Sequence, residues 1–170
     1  MPGEGIGQIC LDLSGNIWCM DNVNKKVQQF SPTGGLLQQW GSSGNADGQF
    51  YSSNGIWVSP SGYVYVADTG NNRIQKFNST GDFLAKWAVS SPGSLAGDPN
   101  GNILVCDGSN YRIQKFDPDG VFITQFGRQG FNSGEFKYIY GIGVDNTGKV
   151  YVSDFDGGST SRVQKFAWSN

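Results

Sequence analysis

Four aspartates raise the first chemical question. Asp21, Asp68, Asp107 and Asp154 each stand six residues after a glycine (Gly15, Gly62, Gly101, Gly148), and each is followed by a cation, at Lys26, Arg73, Arg112 and Arg162. A carboxylate and a cation at a repeated spacing can pair, orient a polar ligand or, with enough further oxygens, hold calcium. Calcium needs roughly six to eight close oxygens, and one carboxylate per repeat spread over four repeats does not gather them. Asp12, Asp98 and Asp145 form a second set beside turn residues at strand ends, where aspartate commonly braces the backbone. The sequence contains 0 histidines, which removes the commonest general base, the commonest zinc ligand and any Ser/His pair. No catalytic residue, metal ligand or cofactor is expected. Cys10, Cys19 and Cys106 lie in apolar runs without paired metal spacing and read as ordinary strand cysteines.

These aspartates belong to a longer recurrence. "VADTGNNRIQKF" at 66–77 returns as "VCDGSNYRIQKF" at 105–116, with looser copies in "CMDNVNKKVQQF" at 19–30 and "VSDFDGGSTSRVQKF" at 152–166. Around each aspartate, short apolar runs alternate with period two, as in Ile56/Val58, Val64/Val66 and Ile103/Val105, which is the pattern of antiparallel strands. "SPSG", "DPNG", "NSTG" and "DPDG" between them are hairpin turns, with glycine supplying positive φ. Each unit is therefore a four-stranded meander, and copies of such a sheet must stack to bury both faces, radially in a β-propeller.

The stretch "GIWVSPSGYVYVADTGNNRIQKFNSTGDFLAKW" (55–87) resembles an NHL repeat, matching its Gly-Ile start, Tyr-Val-Ala-Asp, Asn-Arg and apolar-Gln-x-Phe strand. The other three copies resemble it in the same register. The resemblance implies an all-β chain, one NHL-type β-propeller domain over 1–170 with four blades, at about 8–41, 55–88, 94–127 and 141–168. The last blade lacks its outer strand, since the chain reaches Asn170 where that strand would begin. Propellers of this family serve as protein-binding, RNA-binding and occasionally enzymatic scaffolds. The related lyases, peptide-amidating and streptogramin-linearising, rest on histidines, so no position here inherits their roles. A calcium-dependent, lactonase-like hydrolase needs only carboxylates and Asn, and stays as an alternative. In each repeat, Asp and Asn are expected to brace the hairpin while the cation pairs with a neighbouring blade.

Strand parity puts the hairpins joining strands two and three on the same side as the connections between blades. Two of those connections, 41–55 and 127–141, have fifteen residues each, whereas 88–94 has seven. Phe50 and Phe136 share one register and read as plugs between blades. Phe131, Tyr138 and Tyr140 have no aromatic counterparts in the first loop, and with Arg128, Asn71, Asn72 and Tyr111 they are the candidate protein-binding residues. Ile6, Ile9, Phe166 and Trp168 are expected near open blade edges as self-association residues, giving a dimer or a filament, and a structural subunit of an extracellular assembly is a further alternative. With 12 basic against 14 acidic residues and no basic run, nucleic acid is not an expected partner. Neither is a membrane, because no apolar run approaches the roughly 18 residues of a span. "MPGEGIGQ" has no signal-peptide pattern, and an extracellular or cell-surface setting is preferred to a cytoplasmic one.

Overall fold

A computed structural model of the chain describes residues 5–155 and 161–167. Its strands form four antiparallel sheets, each in chain order. Blade 1 comprises β1 (Ile6–Leu11), β2 (Ile17–Asp21), β3 (Lys26–Phe30) and β4 (Leu36–Trp40). A short parallel pair, β5 (Ser42–Ser43) and β6 (Gln49–Phe50), lies in the connection that follows. Blade 2 comprises β7 (Gly55–Val58), β8 (Val64–Asp68), β9 (Arg73–Phe77) and β10 (Phe83–Ala88). Blade 3 holds β11 (Pro92–Gly97), β12 (Ile103–Asp107), β13 (Arg112–Phe116) and β14 (Phe122–Phe126). Blade 4 has β15 (Tyr138–Val144), β16 (Val150–Phe155) and β17 (Ser161–Phe166), with no fourth strand among the described residues. The fold is all-β, with four blades of propeller type, the last three-stranded. The chain divides into two compact units, Met1–Pro92 and Gly93–Asn170. No helix among the described residues is long and apolar enough to cross a membrane.

Turn chemistry sets the hairpins between first and second strands. Asp12 accepts the amides of Ser14 and Asn16, Asp98 those of Asn100 and Asn102, and Asp145 those of Thr147 and Lys149, at 2.9–3.0 Å. This side-chain mimicry of a turn is what Asp does before a residue of positive φ. The glycines that close these turns, Gly15, Gly101 and Gly148, have φ of 77°, 83° and 81°. The Thr147 hydroxyl, then the Lys149 amide, hold the Asp145 carboxyl down at about 2. These three carboxylates are thus occupied in separate hairpins.

Each unit has its own core. In the first, Trp18, Met20, Val27, Ile56, Val64, Val66 and Phe77 pack with Phe50, and Trp40 meets Trp18 edge-on at 5.6 Å. In the second, Leu104, Cys106, Ile113, Ile142, Val150 and Val152 pack with Phe136. Phe166, expected at an open edge, lies on β17, the outer strand of blade 4 among the described residues, and packs half-buried against this second core. It lies opposite Val150 in the β16–β17 ladder, and its ring sits 4.4 Å from Phe126 and 5.8 Å from Phe136. Strand alternation turns it inward while Val163 is exposed. Ile6 and Ile9 are exposed on β1, as is Leu11, and Trp168 lies outside the described residues. All three cysteines are free, and burial pushes the Cys10 thiol up to about 12.

Candidate binding surface

The hairpin joining β8 and β9 is built around a buried carboxylate. Asp68 ends β8 and Arg73 opens β9 directly opposite it. Between them the chain makes a single turn of 3₁₀ helix, Thr69–Asn71, and leaves it through Asn72 in the left-handed region at φ 54°. Asp68 accepts hydrogen bonds from Arg73 Nε (2.9 Å), Asn71 Nδ2 (2.8 Å) and Gln75 Nε2 (3.2 Å). The cation was expected to pair with a neighbouring blade, but its close carboxylate partner is its own cross-strand neighbour, with Asp47 of the preceding connection farther off at 3.8 Å. Directly opposed residues in an antiparallel pair have Cβ atoms about 5 Å apart, within reach of a short ion pair.

The remaining polar groups of this hairpin hold the long connection 41–55. Arg73 Nη1 donates to the Asn45 carbonyl (2.9 Å), and Nη2 donates to the carbonyls of Ala46 (2.8 Å) and Gln49 (2.9 Å). Gln75 donates to the Gln49 carbonyl (2.8 Å) and accepts the Gly48 amide (3.0 Å). Asn71 donates to the Gly44 carbonyl, and Asp68 Oδ1 accepts the Tyr51 amide. The loop is therefore gripped by its main chain.

Blade 4 repeats the grip on the connection 127–141. Arg162 Nε reaches Asp154 (3.1 Å), Nη1 the Phe131 carbonyl (2.6 Å) and Nη2 the Glu135 carbonyl (2.8 Å). Gln164 donates to the Glu135 carbonyl and accepts the Gly134 amide, both at 2.9 Å. Asp154 Oδ1 accepts the amides of Lys137 and Tyr138. Phe50 and Phe136 are fully buried at equivalent places, each against a glycine, Gly41 (φ 105°) and Gly127 (φ 100°). A Cβ there would come within 2.6 Å and 2.5 Å of the phenylalanine ring, so only glycine fits.

Upon this shared backbone the two loops show different side chains. Phe131, Tyr138 and Tyr140 are 60%, 51% and 70% exposed, where the first loop has Asn45, Ser52 and Asn54. Lys137 Nζ lies 5.1 Å from the Phe131 ring centre and 5.7 Å from that of Tyr138. The Phe155 ring lies 6.2 Å from Tyr138 and 6.4 Å from Tyr140, so the four aromatics and the lysine form one continuous surface. Tyr138 and Tyr140 were placed in a loop, yet they occupy β15, which starts earlier than the apolar pattern suggested. Period two puts both on one face, with Ile139 packed on the other.

The other predicted residues have structural work. Arg128 pairs with Glu135 (2.8 Å) with its guanidinium in solvent, and the Asn132 amide together with Arg128 holds the Glu135 carboxyl below the usual range. Asn71 holds the first loop, as described. Asn72 accepts the Ser91 amide through Oδ1 (2.8 Å), and Tyr111 is half-buried against the second core in the left-handed position at φ 56°. Among the described residues no group of three or more Cys, Asp or Glu is placed to hold a metal ion.

A model of the NHL repeat matches residues 50–77 and 90–116. The chain carries NHL repeats. No curated protein matches it. Among solved structures it is similar to virginiamycin B lyase from Staphylococcus aureus, with TM-score 0.72 and 17% identity over 98% of this chain and 56% of that one. A catalytically inactive His-to-Ala variant of that lyase, with quinupristin, gives 0.71 and 16% over 100% and 58%. The WD40 β-propeller domain of Doa1 gives 0.68 and 14% over 96% and 51%. The chain thus spans about half the length of these structures, and at such identities the likeness is one of fold.

One functional element of the NHL hairpin escaped sequence reasoning, the glutamine two residues after each cation. Gln28, Gln75, Gln114 and Gln164 recur in all four repeats, and that recurrence was the available signal. Lys137 and Phe155, the bridging members of the aromatic surface, had no counterpart in spacing that would have marked them.

Proposed function

We propose that this chain is a non-catalytic interaction module, binding a protein partner through the aromatic surface of blade 4. One observation carries the reading. The two long loops have the same clamped backbone, and the first keeps it with Asn45, Ser52 and Asn54, so the fold does not require aromatics at 131, 138 and 140. Exposed Tyr and Phe beside a lysine supply large, rigid contact area with a cationic edge, the composition of interface hot spots. Against catalysis speaks the histidine whose replacement accompanies inactivity in the lyase variant, since this chain has 0 histidines. Self-association is the companion proposal, through exposed Ile6, Ile9 and Leu11 on β1.

The test pairs Tyr138→Ala/Tyr140→Ala with wild type in cross-linking and co-purification from the native source. Loss of a recovered partner in the double variant, with the folded state intact, is the expected result. Retention of every partner would remove the aromatic surface from the reading. For self-association, sedimentation at tens of micromolar (roughly where open apolar edges associate) should give species larger than a monomer that Ile6→Ser/Ile9→Ser diminishes. A calorimetric titration with calcium that showed stoichiometric binding would favour the hydrolase alternative.

A further inference from the structure

Blade 3 has the complete clamp of blades 2 and 4 but grips no loop with it. Asp107 is fully buried, and its two oxygens accept Asn110 Nδ2 (2.9 and 3.0 Å), Arg112 Nε (2.7 Å) and Gln114 Nε2 (2.7 Å). Arg112 opens β13 opposite Asp107, as Arg73 does opposite Asp68. Beyond the carboxylate the two blades part. The far end of Arg73 meets three main-chain carbonyls, whereas Arg112 Nη1 turns to the Gln125 side chain (2.7 Å) and Nη2 has no partner among the described residues. Gln114 donates to Asp107, as Gln75 does to Asp68, but makes neither the glycine-amide nor the carbonyl hydrogen bond of its counterparts among the described residues. The Arg112 side chain is 30% exposed, between Arg73 at 10% and Arg162 at 33%, so it is the missing carbonyl partners and not exposure that set blade 3 apart.

We propose that the Asp107–Arg112–Gln114 hairpin is an open receptor for a peptide segment from a partner protein, bound by its main chain as blades 2 and 4 bind their own loops. The ligand chemistry follows from the two filled clamps. In the first, the segment offers carbonyls at 45, 46 and 49 to the guanidinium and the amide, and the amides of 48 and 51 to the glutamine and the aspartate. The residue at the fourth of these places is glycine in both loops, Gly48 at φ 77° and Gly134 at φ 81°, so a ligand needs a left-handed glycine there. Binding exchanges the Arg112–Gln125 contact for charge-assisted hydrogen bonds to the ligand and adds amide hydrogen bonds at Gln114, leaving the Arg112–Asp107 pair in place. The proposal rests on the interaction-module reading but not on the aromatic surface.

The probe is a synthetic peptide with the sequence of residues 42–51, SSGNADGQFY, titrated into the full chain and followed by backbone amide NMR and by anisotropy of a labelled copy. Saturable binding is expected, with shifts centred on residues 107–114. Arg112→Lys, which places there the residue that blade 1 has at Lys26, and Gln114→Ala should each weaken it roughly tenfold or more. Tyr138→Ala/Tyr140→Ala should leave it unchanged, which separates this site from the partner surface of blade 4. No saturation up to about millimolar peptide, equal affinity in both clamp variants, or shifts centred on 68–75 or 154–164 would each overturn the proposal.

Discussion

Blades 2 and 3 spell the same third strand, "RIQKF", and pair it with the second strand in the same register, yet they use it differently. In blade 2 the strand's first and third residues hold a fifteen-residue connection. In blade 3 they hold only Asp107 and Gln125. The comparison separates two layers of information. The Asp-to-Arg hairpin is specified within about a dozen residues and forms wherever those residues occur. What the hairpin grips depends on the length of a connection elsewhere in the chain.

The largest test of this division is Phe50→Ala and Phe136→Ala. Each ring is fully buried in its unit's core, and truncation should cost about 3–5 kcal/mol in urea or guanidinium unfolding. A cost near that of a surface change would mean that the loops lie on the blades without belonging to them. Next comes the arginine pair. Arg73→Ala removes the cation that pairs with the buried Asp68 and also strands three loop carbonyls, and should cost about 3–5 kcal/mol. Arg112→Ala should cost less, by about 1–2 kcal/mol, because among the described residues it leaves no main-chain carbonyls without a donor and, beyond Asp107, frees only the Gln125 side chain. Equal costs would break the comparison between the blades.

Tyr138→Ala/Tyr140→Ala should change stability by no more than about 0.5 kcal/mol per site, since both rings face solvent. A failure to fold would place them in the scaffold. The smallest effect belongs to a hairpin outside both clamps. Asp145 should titrate at about 2 in carboxyl NMR, below the ordinary aspartate value of 3.8. Its folded-state value is depressed, so its contribution to stability is complete above 3.8 and is lost as pH falls through about 2. A midpoint at 3.8 would show that the Thr147 and Lys149 hydrogen bonds do not form in solution.

Much of this was legible beforehand because it is local. Alternating valines and isoleucines set the strands, the Asp-x-x-Gly turns set the hairpins, and the shared register of Phe50 and Phe136 marked them as buried. The error over Arg73 arose from reading the cation alone, although strand pairing places Asp68 directly across from it. Phe166 stands on the outer strand of blade 4, as its place near the missing strand suggested, while strand alternation turns its ring inward. The clamp could not be read from spacing, since its acceptors are main-chain carbonyls, which leave no trace in residue identity. Only the recurring glutamine hinted at it.

That sequence-blind grip bears on how such a chain can change over generations. Arg73 and Arg162 read carbonyls, so the exposed side chains at Asn45 and Ala46, and at Phe131 and Ser133, are free of the contact that shapes their loops, unlike Asp47, which pairs with Lys86, and Asn132, which donates to Glu135. Mutations there explore new surfaces on a fixed frame, whereas Gly41, Gly44, Gly127 and Gly130, where a Cβ would collide with the loop's own packing, stay closed to drift. A library randomised at the four tip positions Asn45, Ala46, Phe131 and Ser133 should therefore yield mostly folded members, and the loops would serve as ready grafting sites for new recognition.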